Sequence, residues 1–354
     1  MLQVNIKKKL GNFLLDVDFQ MDGGVFAILG ASGCGKSMTL KCIAGIERPD
    51  EGRIVLNDRV LFDSEKKINL PPQKRKVGYM FQDYALFPNM NVVQNIQAGM
   101  GRKPDPKKVR EYITGFQLGG LEHHMPDQLS GGQKQRVAMA RMLAAEPEVL
   151  LLDEPFAALD SYLKWKMEQQ MLELLQKIQA PVLFVSHSRD EVYRLCDTVS
   201  CINQGRMEVI EPVKEFFRNP KTKTAALLSG CKNICAVEAM ESHKDGKWLW
   251  ASDWGVVIRV SKEALQARTI GIRAHFFTKE KPSEGCYSEF PVGEYRIMED
   301  PFEWNVSFRK DRSCEWLQWK TAKTDWDPSE GVPEKLYVKE ENLLLLDIDT
   351  DNRR

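Results

Sequence analysis

The run Gly30-Ala31-Ser32-Gly33-Cys34-Gly35-Lys36-Ser37 constrains this chain more than any other feature. It satisfies G-x-x-x-x-G-K-[ST] and falls between an apolar strand-like run, Val25–Leu29, and a helical pattern over Lys36–Ala44. Glycines there let successive backbone N–H groups curl around phosphate oxygens, and the start of the helix adds partial positive charge. Lys36 then reaches the β- and γ-phosphates, and the Ser37 hydroxyl can ligate Mg²⁺. A nucleoside triphosphate site is the expectation. Further strand-like runs at Val149–Leu152 and Val182–Val185 alternate with helical patterns at Gly132–Ala145 and Leu163–Ile178. That alternation predicts an α/β domain with parallel strands.

The run Val149-Leu150-Leu151-Leu152-Asp153-Glu154-Pro155 is a buried strand ending in two adjacent carboxylates. Side chains at the C-terminal end of a parallel strand project toward the ligand crevice, which suits Asp153 to the Mg²⁺ shell and Glu154 to orienting the attacking water. A second Gly-rich helix start, Leu129-Ser130-Gly131-Gly132-Gln133, is followed by the helical run from Lys134 to Ala145 and can also bind an anion. One nucleotide does not obviously need two such cradles in a single chain.

Composition bounds the rest. Apolar residues make up 43% of the 354, charged residues 28%, and Lys and Arg balance Asp and Glu at 50 each, which excludes disordered and collagenous classes. No stretch of about 18 apolar residues exists to span a membrane, and the N-terminus lacks the unbroken apolar segment of a secretion signal, so a cytosolic chain is expected. The eight cysteines form no C-x-x-C pair and read as free thiols. Seven of the eight Trp lie beyond residue 240, marking a second unit. Residues 231–354 hold 19 Lys and Arg against 23 Asp and Glu, so neither part has the charge of a nucleic-acid binder. An Asp245-Gly246 turn, followed by the strand-like runs Trp248–Trp250 and Val256–Val260, predicts β-hairpins. We therefore expect an α/β domain over 1–230 and a β-rich domain over 231–354, bridged by short helices near Val213–Phe217 and Lys223–Leu228.

The L-S-G-G-Q run, in order with the phosphate loop and the D-E-P strand, resembles the ATP-binding subunits of ABC transporters. The resemblance implies a P-loop ATPase domain with a helical subdomain, followed by a small OB-like or TOBE-like β domain. It also implies that two copies pair head to tail, with Ser130, Gly131, Gly132 and Gln133 of one facing the nucleotide of the other. Gln82, in Tyr79-Met80-Phe81-Gln82, resembles the glutamine that contacts Mg²⁺ and water. Asp160, in Ala158-Leu159-Asp160, resembles the aspartate that crosses the dimer interface. His187 resembles the switch histidine at the γ-phosphate. Phe13 is either the aromatic that stacks on adenine or a core residue of a strand. Cys34, beside Lys36 at a helix N-terminus, is either a thiolate-favouring group or a small filler.

Asp83-Tyr84-Ala85-Leu86-Phe87-Pro88 is either a surface loop or, as in importers of this family, part of the groove for a membrane subunit's coupling helix. The layout of one cassette and a β-rich extension resembles importer ATPases. Gly271-Ile272-Arg273-Ala274-His275 resembles a strand of their C-terminal domains, with Ala and His replacing Pro and Glu. Ser229-Gly230-Cys231-Lys232-Asn233-Ile234 resembles the start of such a domain. Leu56–Ser64 and Pro71–Tyr79 resemble the oxyanion branch that imports molybdate. The expected cofactors are ATP and Mg²⁺, and the expected partners a second copy, integral permease subunits and, indirectly, an extracytoplasmic solute-binding protein. The chain would then sit peripherally on the cytoplasmic face. Import of iron, polyamine or sugar, or a soluble ABC ATPase outside transport, are the alternatives.

Overall fold

The computed structural model describes residues 1–157, 161–176, 178, 180–240, 247–260 and 267–347. They divide into two compact units, Met1–Val213 and Lys214–Arg354.

The first unit runs β1 (Leu2–Leu10), β2 (Phe13–Met21), β3 (Val25–Leu29), α1 (Lys36–Ala44), β4 (Glu51–Leu56), β5 (Arg59–Asp63), β6 (Ile68–Asn69) and β7 (Val77–Met80). It continues through α2 (Val92–Met100), α3 (Pro106–Gly115), α4 (Gly131–Ala144), β8 (Val149–Asp153), α5 (Ser161–Leu175), β9 (Val182–Ser186) and α6 (Arg189–Leu195). The final strands are β10 (Thr198–Asn203), β11 (Arg206–Met207) and β12 (Glu211–Pro212). One sheet joins them in the order β6-β5-β4-β1-β2-β11-β10-β3-β9-β8-β7, with β12 on β10. Its half from β10 to β7 is parallel, as the alternation of strands and helices predicts.

Strands β3, β8 and β9 are buried at every position because helices or loops cover both faces. Alternate side chains of β8 enter separate cores. Val149 and Leu151 join Leu40 and Ile43 of α1, whereas Leu150 and Leu152 join Ile96 of α2 and Val137 and Met142 of α4. Helices α2, α3 and α4 share this second core, so the helical layer implied by the resemblance is present.

The second unit carries α7 (Val213–Arg218), α8 (Lys223–Leu228), β13 (Asn233–Met240), β14 (Lys247–Ala251), β15 (Val256–Val260) and β16 (Thr269–Ile272). Strands β17 (Tyr287–Pro291), β18 (Glu294–Glu299), β19 (Glu303–Arg309), β20 (Leu317–Ala322), β21 (Lys335–Lys339) and β22 (Leu343–Leu346) complete it. They form sheets β15-β14-β13-β16-β22, β17-β21 and β18-β19-β20, confirming a β-rich unit. The core is aromatic, with Phe277 edge-on to both Phe290 and Phe308 at 5.1 and 5.3 Å, and Trp319 against Trp326 at 5.0 Å. The β14–β15 hairpin is present, while the Asp245-Gly246 turn lies outside the described residues.

The division falls at Val213, earlier than residue 230. Long-range polar contacts invisible in composition explain the shift. Arg273, just past β16, donates to the carbonyls of Phe217 and Ser229, and Asp347 N–H donates to Lys221 O at 2.9 Å. The bridging helices α7 and α8 thereby join the β-rich unit.

Candidate nucleotide site

Parallel register aligns four strand ends. Met80 of β7 neighbours Leu152, Asp153 of β8 neighbours Val185, and Ser186 of β9 neighbours Leu29. The segments leaving this edge carry Gln82, Glu154, His187 and the phosphate loop, which is where ligands of open α/β sheets bind.

The loop Gly30–Lys36 turns into α1 through Gly35, whose φ is +110°. A Cβ there would be strained, and it would also lie 2.6 Å from Leu15 Cδ1. Lys36 is buried and its Nζ donates to the carbonyls of Gly30 and Ala31, both at 2.8 Å. The same ammonium lies 3.6 Å from Glu154 Oε1. Arg75 anchors the far end of α1: fully buried, it donates to Cys42 O and Ile43 O at 2.8 Å, to Leu70 O at 2.7 Å and to Asn69 Oδ1 at 2.8 Å. It satisfies the helix's last carbonyls and adds positive charge at the negative dipole end.

Ser37 Oγ donates to Asp153 Oδ1 at 2.8 Å, so the two predicted metal ligands meet. The other carboxylate oxygen accepts from Tyr79 OH at 2.7 Å. Burial, together with the neighbouring carboxylate, pushes the Tyr79 phenol well above its ordinary pKa, fixing it as a donor. Hard oxygens from a hydroxyl and a carboxylate fit Mg²⁺, which takes one or two protein oxygens and completes its shell with phosphate and water.

Glu154 adopts φ +45°, the left-handed region, where a non-glycine residue costs on the order of 1–3 kcal/mol. Two backbone bonds hold it there: its N–H donates to Val185 O at 3.0 Å and its carbonyl accepts from Ala157 N–H at 3.1 Å. The turn aims the carboxylate between Lys36 and His187, whose Nδ1 is 3.1 Å from Glu154 Oε2.

Gln82 is exposed two residues past β7, on the same sheet edge. Phe13 starts β2, half-buried, with its ring end 3.3 Å from where a Cβ of Gly35 would stand, so it flanks the phosphate loop. Asp160 lies outside the described residues, with Ala158 and Leu159.

In the signature, Ser130 Oγ accepts from Gln133 N–H at 3.3 Å while Gln133 Oε1 accepts from Ser130 N–H at 2.8 Å. This is a reciprocal capping box that starts α4, and Gly132 is buried behind it. Those polar contacts are internal to the helix start and do not reach the phosphate loop of the same chain.

Cys34 departs from the thiolate expectation. It packs so closely on Gly30 that a Cβ there would lie 2.7 Å from Sγ. Burial raises its pKa despite the charge of Lys36, so the thiol stays protonated and acts as filler.

The Asp83–Pro88 segment is held rather than loose. Tyr84 and Ala85 take φ of +60° and +41°, and their carbonyls accept from Arg141 at 3.0 and 2.9 Å. Asn95 Oδ1 accepts from Phe87 N–H at 3.0 Å, leaving the Phe87 ring exposed.

The family profile described as ABC transporter matches residues 14–157, spanning the phosphate loop, the signature and the D-E-P strand. A molybdenum import ATP-binding protein of Photobacterium profundum is 34% identical over 339 residues, covering 89% of this chain and 90% of that protein. The chain belongs to the ABC transporter ATP-binding family. A molybdenum import ATP-binding protein of Aliivibrio fischeri is 42% identical over 221 residues, a stretch that spans 62% of this chain and 60% of that relative's length. A Haemophilus influenzae protein named for Fe(3+) ion import is 43% identical over 225 residues, covering 61% of this chain and 63% of that one. Among solved structures, an ATP-binding cassette captured as a dimer in a post-hydrolysis state with ADP and Pi matches with a TM-score of 0.51 and 26% identity, covering 60% of this chain and 99% of that one. Within the family's cassette, sequence motifs found the residues that converge on the sheet edge. Tyr79 and Arg75 were missed. Only the placement of Tyr79 two residues before Phe81-Gln82, on the strand beside β8, offered a signal.

Proposed function

We propose that this chain is the ATP-hydrolysing subunit of a membrane importer, and that the solute is molybdate or a related oxyanion such as tungstate or sulfate. The observation that carries hydrolysis is the convergence of Lys36, Ser37, Asp153, Glu154 and His187 through contacts of 2.8–3.6 Å. Likeness along nearly the whole length to a molybdenum importer's ATP-binding protein supports the solute class, because it includes the C-terminal unit. Iron import is the second reading, supported by likeness over the cassette to the Haemophilus protein.

ATP would lie along the phosphate loop, with Phe13 beside the adenine and Lys36 on the β- and γ-phosphates. Ser37, Asp153 and Gln82 would hold Mg²⁺, which neutralises charge on those phosphates. Tyr79 keeps Asp153 turned toward Ser37. Glu154 orients water for in-line attack, and His187, bonded to Glu154, donates toward the γ-phosphate oxygens. Ser130, Gly131, Gly132 and Gln133 of a second copy would bind the nucleotide from the opposite side, with Asp160 at the interface. The exposed Phe87 ring, on a loop pinned by Arg141 and Asn95, suits docking of a permease's cytoplasmic helix. The chain is then peripheral on the cytoplasmic face; no helix among the described residues is long and apolar enough to cross a membrane. A solute-binding protein outside the membrane would act on it only through the permease.

Affinity purification of the tagged chain from gently solubilised membranes tests this reading. A copurifying permease, with molybdate and tungstate stimulating ATP hydrolysis in the reconstituted complex, is the expected result. Stimulation by ferric iron instead would select the second reading. Ribosomal or DNA-bound partners without a membrane protein would overturn import altogether.

A further inference from the structure

His187 is half-exposed, and among the described residues its side chain bonds to Glu154 alone, so packing does not fix it. Its backbone is held from behind. Glu191, buried on α6, accepts from Ser186 Oγ at 2.6 Å, and the same hydroxyl accepts the Ser188 N–H at 2.8 Å. Ser188 Oγ in turn accepts the Glu191 N–H at 3.5 Å and caps α6. The residues on either side of His187 are thus closed into one ring of bonds. The other oxygen of Glu191 lies 2.5 Å from Lys164 Nζ, in the first turn of α5.

A buried carboxylate is an expensive way to join two helices, since removing it from water costs several kcal/mol unless every oxygen is paired. Helices α5 and α6 already share a second ion pair, Arg194 with Glu168 at 2.6 Å. Joining the helices therefore does not account for Glu191. We propose that Glu191 is a positioning residue for hydrolysis: through Ser186 it sets His187 against Glu154, and through Lys164 it ties that setting to the start of α5, directly after Asp160. The proposal rests on the reading of His187 as a γ-phosphate contact. It extends the hydrolytic machinery to Ser186, Glu191 and Lys164, none of which this reading places against the nucleotide or Mg²⁺.

Ser186→Ala deletes the shared hydroxyl with almost no change in volume. Misplacement of a reacting group by about 1 Å costs up to about 10²-fold, so kcat for ATP falls about ten- to a hundredfold while KM stays near the parent value. Ser186→Thr, which keeps the hydroxyl, restores kcat. In a His187→Ala background the Ser186→Ala change has no further effect, because a residue acting through His187 has nothing left to position. Additive losses in the double variant, or a parental kcat in Ser186→Ala, overturn the proposal. A parental rate in His187→Ala would instead sink the underlying assignment of His187. Should Ser186→Ala unfold, Lys164→Met against Lys164→Arg repeats the comparison from the partly exposed end: Met lowers kcat, Arg restores it, and equal rates for both count against the proposal.

Discussion

The two units bury polar groups for opposite ends. In the first, Lys36 and Asp153 are 4% and 7% exposed, and each is paired within the edge where four parallel strands finish. In the second, ion pairs such as Lys335 to Glu289 and Lys320 to Glu303, both at 2.8 Å, lie at the surface and join side chains that are at least 38% exposed. Its interior is instead aromatic, around Phe277, Phe290, Phe308 and Trp319. Surface pairs of that kind contribute about 0–1 kcal/mol each, whereas buried aromatics carry most of a small domain's stability. The first unit gathers part of its buried polarity, Lys36 and Asp153, at one strand edge, while other buried groups such as Arg75 hold its helices.

The largest effect that would break this contrast is in the second unit. Phe308 is fully buried against Phe277, so Phe308→Ala should cost about 3–5 kcal/mol. In calorimetry one transition should move down while the other, and ATP affinity, stay in place; loss of ATP binding in parallel would show that the units do not have separate cores. Next in size is Glu154→Gln, which keeps the turn and shape but removes the charge that orients water. Steady-state hydrolysis should fall on the order of 10²–10³-fold with ATP binding retained, and unchanged turnover would reject Glu154's role.

What was legible in the sequence follows from distance along the chain. The phosphate loop, the signature and the D-E-P turn are each contiguous, so their glycines, hydroxyls and carboxylates show their chemistry within eight residues. Even the capping box of Ser130 and Gln133 is written locally as S-x-x-Q. Arg75 meets the end of α1 from 33 residues away, and Tyr79 meets Asp153 across 74, so no local pattern reveals either partner. The division at Val213 rather than near residue 230 has the same origin, because Arg273 reaches back to Phe217. Cys34 was open to misreading because its neighbour Lys36 is visible in sequence, but the close packing on Gly30 is not.

Tyr79 sharpens the comparison at an intermediate scale. Tyr79→Phe leaves one oxygen of a buried carboxylate without its donor, costing about 1–3 kcal/mol. If Asp153 holds Mg²⁺, the Mg²⁺ concentration for half-maximal hydrolysis should rise several-fold, with little change once Mg²⁺ saturates. A fall in stability with an unaltered Mg²⁺ titration would make Tyr79 a core residue only.

The smallest expected effect is common to both units and runs through their thiols. Burial pushes Cys42 up to about 12, Cys231 up to about 11 and Cys235 up to about 12, and raises Cys34 as well. In the unfolded chain these groups titrate near about 8.5. The folded protein therefore holds protons that the unfolded chain has already released above that pH. Their contribution is fully present below about pH 8.5 and is lost as pH climbs toward 11–12. Stability to urea should decline through that alkaline window, and Cys42→Ala should flatten the decline while lowering stability at neutral pH. Alkylation gives the kinetic counterpart: at pH 7.5 Cys34 should react more slowly than half-buried Cys286, despite lying beside Lys36. Faster modification of Cys34 would mean that the lysine's charge outweighs burial at the phosphate loop, and the contrast between a chemically active edge and an inert interior would then extend to its cysteine.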